Sequence, residues 1–502
     1  MSIPAKDRPD YRRPEVVDAA PDLQLLSDLI AGTRPMVAAA KTEGYIPQWP
    51  DEKDATYEKR IRSAPVYEGL GRTLSASTGM LFSTPPVLTF PTNEVALRAD
   101  WNNIDGAGTK GDVFVKRFAD SGLRDGHALI LVDHPAAPEG NPVTAANEGE
   151  LNLRPMWARY DRSAICSWQT ATVNNELRYM QIVLAESGEA QAGAFGITAS
   201  ERYRVLKVVG GVARWELWEA VPTSETEKTF KMVKSGEFKN RNGKTRDTLP
   251  IAIAYVGRTD APLTSRPPLL GVAWANLAHW RDATELRWGS RISAIEQMVV
   301  TGELSPTVNA DGTTTPGKLR IGWEHGIHLL KDGTAQWVGP SGEGLNQLKT
   351  RMEEAEQQIA ALGMSFLSRD KRVQETAEAK RLDATAENST LATAAQGIED
   401  AVNLAWEHHG WYQGVEKKDC PAVRINRAYD NVTIGAAEIT AIAALVNAGM
   451  PVRQAVKVLA IGGVLVVEDE AAEDEIVLEW ESGKAAQERV KQEQADRFDQ
   501  AA

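Results

Sequence analysis

Residues 267–301 read PPLLGVAWANLAHWRDATELRWGSRISAIEQMVVT, and residues 345–362 read LNQLKTRMEEAEQQIAAL. Two prolines open the first stretch and Gly302 follows it, which is the usual punctuation of a helix. Ala273, Leu277, Trp280, Thr284, Trp288, Ile292, Ile295 and Val299 recur every three or four positions. That spacing predicts one apolar stripe over about nine turns, or ~45 Å. A helix this long, with Arg281, Glu285, Arg287, Arg291 and Glu296 interspersed, exceeds what one compact core needs. The second stretch is also helical in pattern and stops at Gly363. Between them lies an insert rich in Gly, Thr and short β-type runs. Helix, compact insert and returning helix predict a stalk with a small head.

Working outward, the flanks have a different character. Residues 1–20 are rich in proline and charge and are expected to be loose, with a helix over Asp22–Ala40 interrupted near Gly32 and Pro35. Helices are predicted from about Asp51, over EGLGRTLSASTGMLF, and over residues 110–126, the last leading into the strand HALILVD. The small residues of the middle one suit close helix packing. Its Ser75 and Ser77 do not make a nucleophile elbow, because position 73 is threonine where that frame needs glycine. From 152 onward, short alternating segments separated by Asn174-Asn175, Gly210-Gly211 and Asn242-Gly243 predict antiparallel strands with tryptophans in the core, closing with LPIAIAYVGR. After Gly363 comes SRDKRVQ, polar and basic, then a helix from Thr376 to about His409. His408 and His409 at its end are expected to be positive there, complementing the helix dipole. CPAVRINRAYD reads as a strand, and two helices split by Gly449 and Pro451 follow.

These residues carry a resemblance. GVAWANLAHWRDATELRWGSRISAIEQMVVTG, the β-rich insert and RMEEAEQQIAALGMSFL resemble the stem–clip–stem segment of tailed-phage portal proteins, in particular a portal-like group of phage structural proteins of unknown function. YIPQWPDEKDATYEKRIRSAPVYEGLGRTLSASTGMLFSTPP resembles that group's N-terminal segment, and ENSTLATAAQGIEDAVNLAWEHHGW its tunnel helix, so the likeness spans roughly residues 45–465. The resemblance implies an α+β, portal-like fold. Its parts would be a wing over 1–266, stem helices over 267–301 and 344–363, and a β-containing clip over 302–343. A tunnel loop over 364–375, a tunnel helix over 376–412, a strand over 413–434 returning to the wing, and a helical crown with an acidic tail over 435–502 would complete it.

The same resemblance implies a ring at one capsid vertex, of about twelve subunits closed by one repeated head-to-tail interface. Double-stranded DNA would pass through its channel during packaging and ejection. Arg369, Lys371 and Arg372 would face that DNA from the tunnel loop. Trp274, Trp280 and Trp288 would pack stems of neighbouring subunits. Trp323, His325 and His328 would present the clip surface to the terminase large subunit and the head–tail adaptor, with capsid and scaffolding proteins around the ring. The protein would be made in the host cytoplasm and reside in the virion.

The bulk numbers are compatible with this. A chain of 502 residues exceeds one small core, and 42% hydrophobic with 25% charged residues is ordinary for a folded protein. The net charge of −13 disfavours a general phosphate-gripping nucleic-acid binder, though a channel in which a duplex slides is better lined with like charge. From Glu468 onward twelve acidic and four basic residues place −8 of that charge in the last 35 residues. Two distant cysteines, Cys166 and Cys420, provide neither a disulfide framework nor metal spacing, and suit a reducing compartment. No signal segment or membrane span is read.

No catalytic, metal or cofactor site is expected. Gly312, Gly317 and Lys318 satisfy the spacing of a phosphate-binding loop, but Leu319 replaces the Mg²⁺-binding hydroxyl and Pro316 removes a backbone N–H. His325 and His328 lack a third ligand at metal spacing. Two alternatives stay open: another head-completion or connector protein, and a soluble hydrolase or nucleotidyl transferase whose site is assembled only in space.

Overall fold

The computed structural model describes residues 7–90, 95–135, 153–192, 194–223, 228–294, 297–317, 329, 332–338, 343–363, 377–426, 436–447, 451–461, 474–480 and 482. It mixes helix and sheet, in two compact units, Met1–Ile425 and Asn426–Ala502.

The first unit opens with α1 (Pro14–Ala31) and α2 (Thr33–Ala39). Residues 14–20 are therefore helical, where the sequence reading has a loose segment. Pro14 stands in the first turn, where a missing N–H costs nothing, Glu15 supplies an acid there, and Arg13 N–H is tied to Cys166 O at 3.1 Å. The helix breaks at Gly32, whose φ of 93° is left-handed, while Pro35 sits harmlessly in the first turn of α2. Next come α3 (Asp54–Ile61), α4 (Gly69–Leu81), β1 (Val87–Thr89), α5 (Val95–Trp101) and α6 (Gly111–Asp125). Arg60 of α3 is buried against Glu52 (2.8 Å) and under the Trp49 ring (4.1 Å).

The strands sort into two principal sheets. β2 (His127–Asp133) is the centre of a three-stranded antiparallel sheet, flanked by β3 (Met156–Asp161) and β9 (Ile251–Tyr255). Between these in sequence, β4 (Ile165–Val173), β5 (Glu176–Ala192), β6 (Gly196–Val209), β7 (Val212–Pro222) and β8 (Lys228–Glu237) form a five-stranded meander. Asn174 and Asn175 both adopt positive φ, as do Gly210 and Gly211, so the two-residue turns read from the sequence are present. LRPMWARYD, grouped in the sequence with the meander, instead joins β2.

The chain continues through α7 (Leu270–Ser293), β10 (Gln297–Thr301), β11 (Thr307–Val308), β12 (Thr314–Thr315), β13 (Thr334–Val338), α8 (Glu343–Gly363), α9 (Ala377–Gln413) and β14 (Ala422–Arg424). α9 lies along β9 and β2, and Gly397 lets its backbone approach Tyr255 O more closely than any side chain would permit. Trp101, Trp157 and Trp406 meet at ring separations of 5.3–6.3 Å beneath it. β14 pairs with β1, a strand within residues 1–266. Its other groups are taken by α9, because Asn403 both accepts from Val423 N–H (2.7 Å) and donates to Val423 O (3.2 Å). That leaves no ladder for a further strand.

In the second unit, α10 (Ala436–Asn447) packs with α11 (Val452–Ile461), Pro451 preceding the latter. Residues 474–480 are also helical, and Asp474 pairs with Arg453.

Candidate stem and channel elements

α7 is two things in one helix. Over its first fifteen residues one face is core: Ala273, Leu277, Trp280 and Thr284 are all buried. Asn276 accepts from Leu70 N–H (3.1 Å) and donates to Tyr67 O (2.8 Å), and Trp280 Nε1–H donates to Ala64 O (3.1 Å). These bonds clamp the segment leading into α4. Beyond Thr284 the same stripe emerges: Trp288 is half-buried, and Ile292 is exposed. The helix also ends earlier than its periodicity predicts, at Ser293, giving 24 residues or ~36 Å rather than ~45 Å. Val299, Val300 and Thr301 are β-branched and favour the strand that they form in β10.

α8 returns antiparallel to α7 in matched register. Leu345 lies opposite Gly289, where an added Cβ would stand 2.8 Å from Leu345 Cδ2. Arg351 pairs with Asp282 at 2.8 Å, Glu356 meets His279 Nε2 at 3.2 Å, and Leu362 reaches Gly271. Each step forward on α7 is thus answered by an equal step back on α8. The same correspondence continues into the β10–β13 ladder, where Gln297 faces Val338 and Thr301 faces Thr334. Helical and β pairings form one continuous two-limbed stalk. α8 turns Leu345, Leu348, Met352, Ala355, Ile359 and Gly363 inward, at steps of three and four, and its remaining faces are exposed.

At its base the stalk is seated on α4, whose small residues do pack closely. A Cβ at Gly69 would stand 2.6 Å from Ile359 Cγ2, and one at Gly363 2.6 Å from Thr73 Oγ1. Ser77 donates to Thr73 O within α4 (2.9 Å) and is buried there.

Of the tryptophans assigned to subunit packing, Trp280 is corrected. It is fully buried inside its own chain and cannot reach a neighbour. Trp274 is half exposed and Trp288 half-buried, so both retain free surface. Arg369, Lys371 and Arg372, and likewise Trp323, His325 and His328, lie outside the described residues. Gly312 turns at φ 80° between β11 and β12, where Asn309 N–H bonds Thr313 O at 2.9 Å, so the apparent phosphate-loop glycine serves a β-hairpin.

The two histidines at the end of α9 are also corrected. Both are buried, and burial pushes His408 down to about 3 and lowers His409 as well, so burial works against the positive charge expected of the pair. His408 Nε2–H donates to Ile251 O (3.1 Å), and its Nδ1 accepts from Arg246 (3.1 Å). His409 Nε2 meets Asp100 (2.9 Å), which Gln413 also bonds (2.7 Å). Sequence reasoning missed these partners, and also Asp282 and Glu356, because each bridges residues far apart in the chain. Glycines within helices, Gly289 in α7 and Gly397 in α9, are the visible signals of close approach. Among the described residues no cluster of three metal-ligating side chains occurs, and no helix is long and apolar enough to cross a membrane.

No curated protein matches the chain. Among solved structures, a chain from the neck of an empty gene transfer agent (GTA) particle, computed with C6 symmetry, is 13% identical with a TM-score of 0.40, over 81% of this chain and 92% of that one. A chain from the virion of a native gene transfer agent particle is 13% identical with a TM-score of 0.38, over 82% and 95%. One from the neck of a native particle, computed with C12 symmetry, is 11% identical with a TM-score of 0.35, over 82% and 94%. A family model described as a domain of unknown function, DUF4055, matches residues 268–413, the span that runs from the stalk to the end of α9.

Proposed function

We propose that this chain is the subunit of a portal ring at one vertex of a tailed-phage capsid, the channel through which DNA is packaged and ejected. The observation that carries the proposal is the stalk: a helix half-sunk in an α+β body, answered residue for residue by a returning helix and capped by a small β head. Such an element exposes on two flanks more surface than its own chain covers, which suits side-by-side packing around an axis. In this proposal Trp274 and Trp288 lie against neighbouring stems, while Trp280 holds the stem to its own body. Arg369, Lys371 and Arg372 face the DNA backbone. Trp323, His325 and His328 present the head to the terminase large subunit and the head–tail adaptor, and capsid and scaffolding proteins surround the ring. The role is structural, and the ATPase of the packaging motor is a separate chain.

Negative-stain imaging of the full chain with its solution mass tests this directly. Rings with a central hole and a mass of about twelve chains are expected. A compact small oligomer without a channel would overturn it.

A further inference from the structure

Away from the stalk, a cavity of about 750 Å³ opens between β5, β9 and the end of α9. Its walls are largely apolar, with Leu177, Tyr179, Leu249, Ile253, Leu404 and Trp411 among them. That size and lining are typical of a ligand site, where a few convergent polar groups fix orientation. Here the polar group is Arg246. Its Nε and Nη2 donate to Thr248 Oγ1 (3.3 and 2.9 Å), Nη2 also donates to His408 Nδ1 (3.1 Å), and its guanidinium carbon lies 4.8 Å from the centre of the Trp411 ring. Every one of these partners is neutral. Nη1 is sealed from solvent and has no acceptor, and among the described residues no carboxylate pairs with Arg246.

The charged groups at the rim are already matched. Arg178 pairs with Glu176 (2.9 Å) and Asp247 (3.0 Å), Lys417 with Glu407 (2.9 Å), and Glu416 with Lys418 (2.9 Å). Arg246 is therefore the charge of the cavity without a contact ion pair among the described residues, Asp247 acting on it only at longer range, and it is held in place by Thr248, His408 and Trp411. Burying a cation without a counter-charge is costly, and an arriving anion relieves that cost. The N–H groups open to an arriving carboxylate are those of Nε and Nη2, whose present partners, Thr248 and His408, are neutral and yield to a charged acceptor.

We propose that this cavity receives a carboxylate carried on an apolar body, the Arg246 guanidinium taking the carboxylate and Leu177, Leu249, Ile253 and Leu404 the body. A free organic acid and an acidic side chain with apolar neighbours on a second copy of this chain both present that chemistry. Octanoate is the probe, with octanol and octylamine as neutral and cationic comparators, titrated calorimetrically into the full chain. Saturable binding of octanoate is expected, with octanol at least tenfold weaker and octylamine absent. Arg246→Met weakens octanoate tenfold or more, and Arg246→Lys retains part of the affinity. Leu404→Glu, at a partly exposed position on the wall, abolishes binding while circular dichroism shows the fold intact, so the test survives a poorly folding Arg246 variant. Octanoate binding that leaves the mass of the assembly unchanged identifies a free acid as the occupant. Binding only to dissociated subunits, with octanoate lowering the assembled mass, identifies the second copy. Equal binding of octanoate and octanol, undiminished binding in Arg246→Met, or no saturable binding in either assembled or dissociated protein overturns the proposal.

Discussion

Arg351 on α8 reaches across to Asp282 on α7 at 2.8 Å, and the two ends of this pair live in different media: Asp282 is buried and Arg351 is exposed. Burial pushes the Asp282 carboxyl upward, against the pull of the Arg351 charge. Truncating Arg351 to Ala leaves the carboxylate buried without its cation, at a cost of about 1–2 kcal/mol. Because a raised carboxyl binds its proton more readily folded than unfolded, acid relieves this strain. The Arg351→Ala deficit in denaturant midpoint is therefore expected to shrink as pH falls through the raised range of this carboxyl, already above the ordinary carboxylate value. A deficit independent of pH would show that Asp282 is not what suffers.

The helix glycines predict opposite signs. At Gly397 an added Cβ would collide with backbone at Tyr255 O, which cannot swing away. Gly397→Ala should cost about 1–3 kcal/mol. At Gly289 the obstacle is Leu345 Cδ2 at 2.8 Å, the far end of a flexible side chain. Replacing a mid-helix glycine restores up to about 1 kcal/mol of helix propensity, so Gly289→Ala should be neutral to stabilising. Thermal melts of the two variants side by side decide this.

Acid should unfold the body through its histidines. His127 and His408 are each pushed down to about 3 by burial, and an unfolded histidine titrates near 6.5. Between those values the unfolded chain holds protons that the folded one refuses, so stability is full above 6.5 and lost as pH falls toward 3. Two such groups give a slope of up to about 2.7 kcal/mol per pH unit. His408→Gln should remove about half of it, measured as melting temperature against pH.

Trp280 and Trp274 separate folding from assembly. Trp280→Ala empties a fully buried site and orphans Ala64 O, costing about 3–5 kcal/mol, visible in the isolated subunit. Trp274→Ala removes a side chain that is half exposed, so subunit stability should change little while the assembled mass falls. If Trp274→Ala assembles as the parent chain does, that residue has no part in subunit packing.

Cys166 and Cys420 are both buried, with their thiols raised by burial, Cys420 to about 11. Thiol reagents at neutral pH should label neither until the chain is unfolded, since thiolate is the reactive form.

What the sequence made legible was whatever rests on local pattern. The two-residue turns at Asn174-Asn175 and Gly210-Gly211, the extents of α4 and α6, and the return of α8 all follow from spacing and punctuation. The stripe along α7 was right as far as Thr284, because the same side chains that repeat every three or four residues are buried there. It failed beyond Ser293, where apolar spacing fits a helix but β-branched residues and a partner at Thr334–Val338 make a strand. Spacing alone starts α1 too late, because Leu23–Leu29 dominate the pattern, while the helix is started by Pro14 and Glu15. His408 and His409 look like a charged helix end in one dimension. Only the fold sets Arg246 against one and Asp100 against the other.

The matched register of α7 with α8, carried on through β10 and β13, constrains how this protein can change over generations. A residue gained or lost in either limb would slide every partner beyond it by one place, parting Asp282 from Arg351 or Gly289 from Leu345. Length changes below the Leu304–Leu329 pair, which extends the β10–β13 ladder, are therefore tolerable only as compensated pairs, one in each limb, whereas the tip between Leu304 and Leu329 lies beyond the last matched pair and is free to lengthen or shorten alone. Diversity among natural variants of this chain should accumulate at that tip, leaving the shaft beneath it at fixed length.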